Sequence, residues 1–305
     1  MPDGTSYTMA RMEVKQARQR GSDPAAGRTP EAVAGSAQLA CVLEASTEKP
    51  GNITPRHDFA DTSYEDMLRS AIALGPELGR AARRGVGDTV LAAVRATRRV
   101  AGANTNLGIA LLLAPLARAA LLGGALCTGV EEVLAALTLD DARAAYAAIR
   151  LAGPGGLDDP VEHDVRAAPT VALREAMAAA AHRDSVAAEY ATGYAVTFEV
   201  GLPALVRALD DGLAPRAATV ESYLRLLAAV PDTLVARKRG RRAAERVSAG
   251  AASVLAAGGV RDDAGRSALQ AFDASLRSDG NALNPGTTAD LVTAALFVAL
   301  LEGRL

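Results

Sequence analysis

The polar chemistry of this sequence gathers in five stretches. The first runs Glu48-Lys49-Pro50-Gly51-Asn52 and continues through Arg56, His57 and Asp58 to Asp61, mixing carboxylates, cations and an amide in one loop. The second is the triplet Asn104-Thr105-Asn106, directly before an apolar run that opens at Leu107-Gly108. The third is acidic and extends from Asp158 to Asp164-Val165-Arg166. A basic run follows at Asp232-Thr233-Leu234 and Arg237-Lys238-Arg239-Gly240-Arg241-Arg242. The last is Asn284-Pro285-Gly286-Thr287-Thr288-Ala289-Asp290-Leu291, again feeding an apolar helix. Carboxylates in a shielded site serve as acid, base or metal ligand. Cations and free helix N-termini hold phosphate. Two polar turns that each start an apolar helix, at Asn104–Gly108 and at Asn284–Asp290, are able to converge on one anionic ligand.

Those groups need a helical frame. Among 305 residues half are apolar but only 3% aromatic, and Trp is absent. Ala and Leu therefore fill the core, which suits close helix packing and makes poor strands. No period-two alternation persists, so the fold class expected is all-α: one multi-helix domain over 30–305, built around a buried central helix at about 104–122. Residues 1–29 are rich in Gly, Pro and Arg and read as a disordered tail. Thr29-Pro30-Glu31 predicts a helix start, with the helix running to about Thr47. Thr62 and Glu65 predict a capping box for a helix ending near Arg84, and Asp88 a cap for the next. Thr128 and Thr138 predict the starts of two short helices. A long helix is expected from Thr170 to Val200, and further ones at 203–211, 216–229, 232–257 and 262–278.

Several classes are excluded or disfavoured. Net charge is −2, and the basic run lacks interleaved aromatics, which argues against nucleic acid. The run from Leu107 to Leu126 approaches the length of a membrane span but carries Arg118 and Pro115, so no membrane association is expected. Cys41 and Cys127 are isolated. Neither a phosphate-binding loop, a dinucleotide fingerprint, a zinc-protease motif nor a nucleophile elbow is present. No apolar leader opens the sequence, so the cytoplasm is the expected compartment. Apolar Ala/Leu faces are compatible with a homodimer.

Taken in order, the five stretches resemble the triphosphoribosyl-dephospho-CoA synthase family, over about residues 38 to 303. The resemblance implies an all-helical pentosyltransferase. It would move the 5-triphosphoribosyl group of ATP, as a Mg²⁺ salt, to the 2′-hydroxyl of 3′-dephospho-CoA and release adenine. Better-known members tend to carry Asn-Thr-His where this chain has Asn104-Thr105-Asn106. The form here is more similar to a divergent branch found in archaea and in bacteria with pterin-linked one-carbon metabolism. A related nucleotide-dependent transferase serving a pterin or furan carrier, and an inactive ligand-binding member, are the alternatives. What the transfer requires then assigns candidates: Glu48 and Asp164 as base, and Asp58, Asp61 and Asp164 as metal ligands. Lys49, Arg56, Arg166, Arg237 and Lys238 are the candidate phosphate contacts. Asn52, Asn104, Thr105, Asn106, Asn284, Gly286 and Thr287 are the candidate nucleotide contacts.

Overall fold

The computed structural model describes residues 27–103, 105–153 and 162–305. Most of the expected tail lies outside them. Among the described residues there are fourteen α-helices and no sheet, so the fold is all-α as expected. The helices are α1 (Pro30–Ala45), α2 (Tyr64–Leu78), α3 (Val86–Arg98), α4 (Leu107–Leu122), α5 (Leu126–Ala135), α6 (Leu139–Ala152), α7 (Leu173–Ala180), α8 (Ser185–Thr192), α9 (Leu202–Asp210), α10 (Pro215–Ala229), α11 (Thr233–Arg239), α12 (Arg241–Ala256), α13 (Asp263–Arg277) and α14 (Gly286–Leu301).

Two of them, α4 and α14, are apolar all round and almost wholly buried, the signature of core helices. They pack on each other, and α1, α3, α10 and α5 pack around them. Pro115 inside α4 has no N–H to give the carbonyl of Leu111. The buried Tyr190 hydroxyl donates to that carbonyl instead, at 2.7 Å, and the Tyr194 hydroxyl donates to Leu112 O at 2.7 Å. Pro76 in α2 leaves Ile72 O in the same position, and Gln38 Nε2 donates to it at 2.9 Å. The charge within α4 is satisfied too: Arg118 Nη1 donates to Ala81 O and Arg84 O at 2.9 and 2.7 Å. Among the described residues no single helix is long and apolar enough to cross a membrane. Leu107–Leu122 and Leu126–Ala135 reach that length only together, with a bend of 111° between them.

Several helix starts differ from the expectation. Ser63 with Asp66 forms the capping box of α2, one residue beyond the expected Thr62 and Glu65. Asp88 sits inside α3 and does not cap it; Gly87 N–H donates across the fold to Asp141 Oδ1 at 2.9 Å. The same Asp141 completes the Thr138 capping box of α6, so one carboxylate serves two helix N-termini. Thr128 lies within α5 and starts nothing. The long helix expected over 170–200 is broken into α7, α8 and a π turn at Thr197–Gly201. Asp184 caps α8, and Gly193 at φ +70 ends it. Likewise the expected 232–257 helix breaks into α11 and α12 at Gly240, whose φ of +84 no helix accommodates. Local capping chemistry overrode the apolar periodicity at both places.

Candidate functional site

The starts of α4, α8, α11 and α14 meet at one cleft of about 1360 Å³, somewhat larger than the ~300–1,000 Å³ of ordinary ligand pockets. Hydrogen bonds hold three of those starts together. Asp232 is buried; its Oδ1 accepts from Leu234 N and Val235 N at 2.9 and 3.0 Å, capping α11. Its Oδ2 accepts from Thr288 N and Thr288 Oγ1 at 2.7 and 2.8 Å, so the same carboxylate caps α14. Burial pushes the Asp232 carboxyl up, and those donors pull it back down. Thr233 Oγ1 donates to Thr287 Oγ1 at 3.2 Å and accepts from Ser185 N at 3.2 Å, linking α11 to both α14 and α8. The fourth start, α4, is different. Asn106 occupies its cap position but makes no capping bond.

The walls carry both signs. Arg98, Arg183, Arg237, Lys238 and Arg241 line the cleft, together with Glu44, Asp61, Asp164, Asp184 and Asp290. Arg237 Nη1 lies 3.6 Å from Asp184 Oδ2, and Lys238 Nζ donates to Asn281 O at 3.1 Å. Burial lowers the Lys238 ammonium, an effect that Asp61 opposes.

Buried polar atoms are nearly always paired in folded proteins. Several around this cleft are not. Asn106 is 2% exposed, and both its side-chain polar atoms lack partners. Asn284, 8% exposed, leaves Oδ1 unpaired, and Arg237 leaves Nε unpaired. Glu44, 2% exposed, has an unpaired Oε2 while its Oε1 lies 3.0 Å from Lys49 Nζ. Glu44, Arg237 and Asn284 line the cleft, and their unpaired atoms, a donor and two acceptors, are what a polar ligand would satisfy; Asn106 lies between the wall residues Thr105 and Leu107 but is not itself part of the wall.

The residues singled out in the sequence divide sharply. Asn52, Asp61, Thr105, Asp164, Arg237, Lys238, Asn284, Gly286 and Thr287 line the cleft. Asn52 Nδ2 donates to Pro285 O at 3.3 Å, pinning the first loop to the start of α14, and Thr105 Oγ1 lies 2.6 Å from Ser70 Oγ. Asp164 is held by Arg166 in a multi-point pair; Arg166 itself stays outside the wall.

The other expectations do not survive the geometry. Lys49, expected on phosphate, is fully buried, salt-bridged to Glu44 and donating to Glu44 O and Thr47 O. Glu48, expected as base, is exposed and faces Arg56 at 3.5 Å, so neither Glu48 nor Arg56 lines the cleft. Asp58 accepts from Tyr64 N at 2.7 Å at the start of α2. Among the described residues no three acid, His or Cys side chains gather as a metal cage, so Asp58, Asp61 and Asp164 do not form a ligand set. Asn104 lies outside the described residues.

What sequence reasoning missed is the floor. Glu44 looked like one more polar position on α1, and Asp290 like the tail of a turn. Gly108 is the signal that would have found Asp290. A Cβ at Gly108 would sit 2.1 Å from Asp290 Oδ2, so only glycine lets the carboxylate rest on the first turn of α4.

Comparison with known proteins shows the family. The profile of the family described as ATP:dephospho-CoA triphosphoribosyl transferase matches residues 30–305. A Klebsiella pneumoniae protein named 2-(5''-triphosphoribosyl)-3'-dephosphocoenzyme-A synthase is 30% identical over 251 residues, 81% of this chain and 77% of its own. A Stutzerimonas stutzeri protein provisionally given the same name is 30% identical over 231 residues, 75% of this chain and 69% of its own. A crystal structure from Archaeoglobus fulgidus, provisionally described as a triphosphoribosyl-dephospho-CoA synthase, superposes with a TM-score of 0.62 at 30% identity, covering 78% of this chain and all of that one. Helix starts, orphaned polar atoms and cations at one cleft thus occur in a sequence matched from its first described helix to its last residue, and the chain belongs to the ATP:dephospho-CoA triphosphoribosyl transferase family, enzymes that transfer ribosyl groups.

Proposed function

We propose that the protein transfers the 5-triphosphoribosyl group of ATP to the 2′-hydroxyl of 3′-dephospho-CoA and releases adenine. The observation that carries this reading is the cleft itself, lined by Arg237 and Lys238 and by Asn284, whose amide oxygen is unpaired just before the start of α14. In this reading Arg237 and Lys238 hold the triphosphate, Arg237 through the Nε that has no hydrogen-bond partner among the described residues. Asn284 presents its amide to the adenine or the ribose hydroxyls, since a carboxamide offers both a donor and an acceptor to a heterocycle edge.

Magnesium fits as a counter-ion carried by the phosphates, the usual habit of a cation that keeps its waters and takes one or two carboxylates. Asp61 at the cleft wall is the protein ligand this donor set offers. Bound there, the ion would neutralise triphosphate charge. Splitting the C1′–N bond leaves an electron-poor ribose and an electron-rich purine, so the protein's task is to orient the two and to manage one proton on each side.

The test is an acceptor series. Purified protein with ATP and Mg²⁺ should release adenine with 3′-dephospho-CoA but not with its 2′-deoxy analogue. Release with the 2′-deoxy compound would exclude the 2′-hydroxyl as acceptor. Release only with a pterin or furan carrier would move the reading to another cofactor.

A further inference from the structure

Two carboxylates at the floor of the cleft have no part in the phosphate grip or the helix caps, and their surroundings differ in kind. Glu44, at the end of α1, has its Oε1 3.0 Å from the buried Lys49 ammonium, while Oε2 is buried without a partner beside the cleft. The salt bridge sets a cation against Oε1 and leaves Oε2 as the oxygen beside the cleft. Asp290, the fifth residue of α14, lines the same cleft with its Oδ2 against Gly108. Its main charged neighbours among the described residues are acids, Glu44 from α1 and Asp232 and Asp184 from the caps, opposed by Arg237, with the neutral Cys41 thiol close by on α1. Burial first, and then those like charges, push the Asp290 carboxyl well above the usual carboxylate range. Two carboxyl groups at one cleft in such different surroundings, one against an ammonium and one among acids, are the arrangement from which acid and base are assigned.

We propose that Glu44 and Asp290 are the acid–base pair of the transfer, Glu44 Oε2 taking the proton of the acceptor hydroxyl and Asp290 giving one to the departing purine. This rests on the transferase reading above. The C1′–N bond breaks with its electron pair going to adenine, which takes the Asp290 proton. The acceptor oxygen forms the new bond to C1′ as its proton passes to Glu44. One proton is gained and one given, and a return from Glu44 to Asp290 through solvent after product release resets the pair without any further reactant. Lys49 acts as a positioning residue, holding Glu44 so that Oε2 faces the cleft.

The experiment measures adenine release for Asp290→Asn and Glu44→Gln. Because Glu44→Gln strands a buried ammonium, the double variant Glu44→Gln/Lys49→Met serves beside it, and circular dichroism with ATP calorimetry establishes that each protein folds and binds. The expected result is a fall in kcat of about 10²–10⁴-fold with the ATP KM little changed, the usual worth of a general acid or base. Asp290→Asn should also lose the alkaline limb of the kcat profile and recover with 2-fluoro-ATP, whose purine leaves more easily, whereas the Glu44 variants should not recover. Folded, ATP-binding variants that release adenine at the wild-type rate would overturn the pair alone, as would an Asp290→Asn deficit of equal size with both nucleotides. No adenine release from the wild type would overturn the transferase reading and these roles with it.

Discussion

Gly108→Ala tests the floor of the cleft without removing any polar group. The added methyl would stand 2.1 Å from Asp290 Oδ2, 2.5 Å from its Cγ and 3.0 Å from Oδ1. Ordinary contact for such a carbon begins near 3.4 Å, so the carboxylate has to withdraw by an ångström or more. Displacing a reacting group by ~1 Å costs on the order of 10²-fold in rate, equivalent to about 2.7 kcal/mol in the barrier. Stability should fall by less, about 0–2.5 kcal/mol. Replacing a helical glycine gains roughly 0.5–1 kcal/mol from reduced chain entropy, set against roughly 1–3 kcal/mol for the crowding it introduces. The assay is adenine release at saturating ATP beside a urea titration of the same protein. A folded variant with a hundredfold lower kcat and near-normal ATP affinity is the expected outcome. Wild-type kcat in Gly108→Ala would show that the position of Asp290 does not matter, and the reasoning from the close approach would be refuted.

Two further perturbations concern the frame. Asp141→Ala removes a carboxylate that accepts from Thr138 N, Thr138 Oγ1 and Gly87 N, so both α3 and α6 lose a cap and urea unfolding should report a loss of about 2–3 kcal/mol; a loss confined to a few tenths would contradict the double cap. Glu189 is fully buried, and burial, its largest influence, raises its carboxyl to about 7 although Thr197 N donates to it. The unfolded chain ionises this group near the usual 4.5, so its favourable contribution is complete below that pH and is lost as pH rises through about 7. Glu189→Gln should therefore match the wild type in acid and exceed it at mildly alkaline pH by up to roughly 3 kcal/mol; an advantage that does not grow with pH would contradict the assignment.

How far the sequence reached depends on whether a feature was local. The two apolar helices α4 and α14 are legible because an all-round apolar stretch with a polar start has few other homes. Their convergence followed from both starts being polar turns, and Leu107, Gly108, Gly286 and Thr287 do line one cleft. The breaks at Asp184, Gly193 and Gly240 were written in cap and turn residues but were outweighed by apolar periodicity. Lys49 illustrates the harder limit. A lysine in a polar loop reads as a surface cation, and only the third dimension shows that Glu44, five residues earlier on α1, turns it into the core. Asp290 has the same difficulty from the other side, since its partners Glu44, Asp232 and Gly108 come from three distant parts of the chain. The Asn104-Thr105-Asn106 triplet marked the polar start of α4, which the structure begins at Leu107, yet the Asn106 side chain at the cap position makes no capping bond. Pairing an unsatisfied residue with a ligand is information no cap rule contains.

The central claim is that ATP gives up its base and keeps its triphosphate. Mass spectrometry of the products of purified protein, ATP, Mg²⁺ and 3′-dephospho-CoA tests it most directly. The account predicts adenine and a triphosphoribosyl adduct of dephospho-CoA in equal amounts, with no ADP, AMP or pyrophosphate. Cleavage within the triphosphate while the adenine–ribose bond stays intact would contradict it.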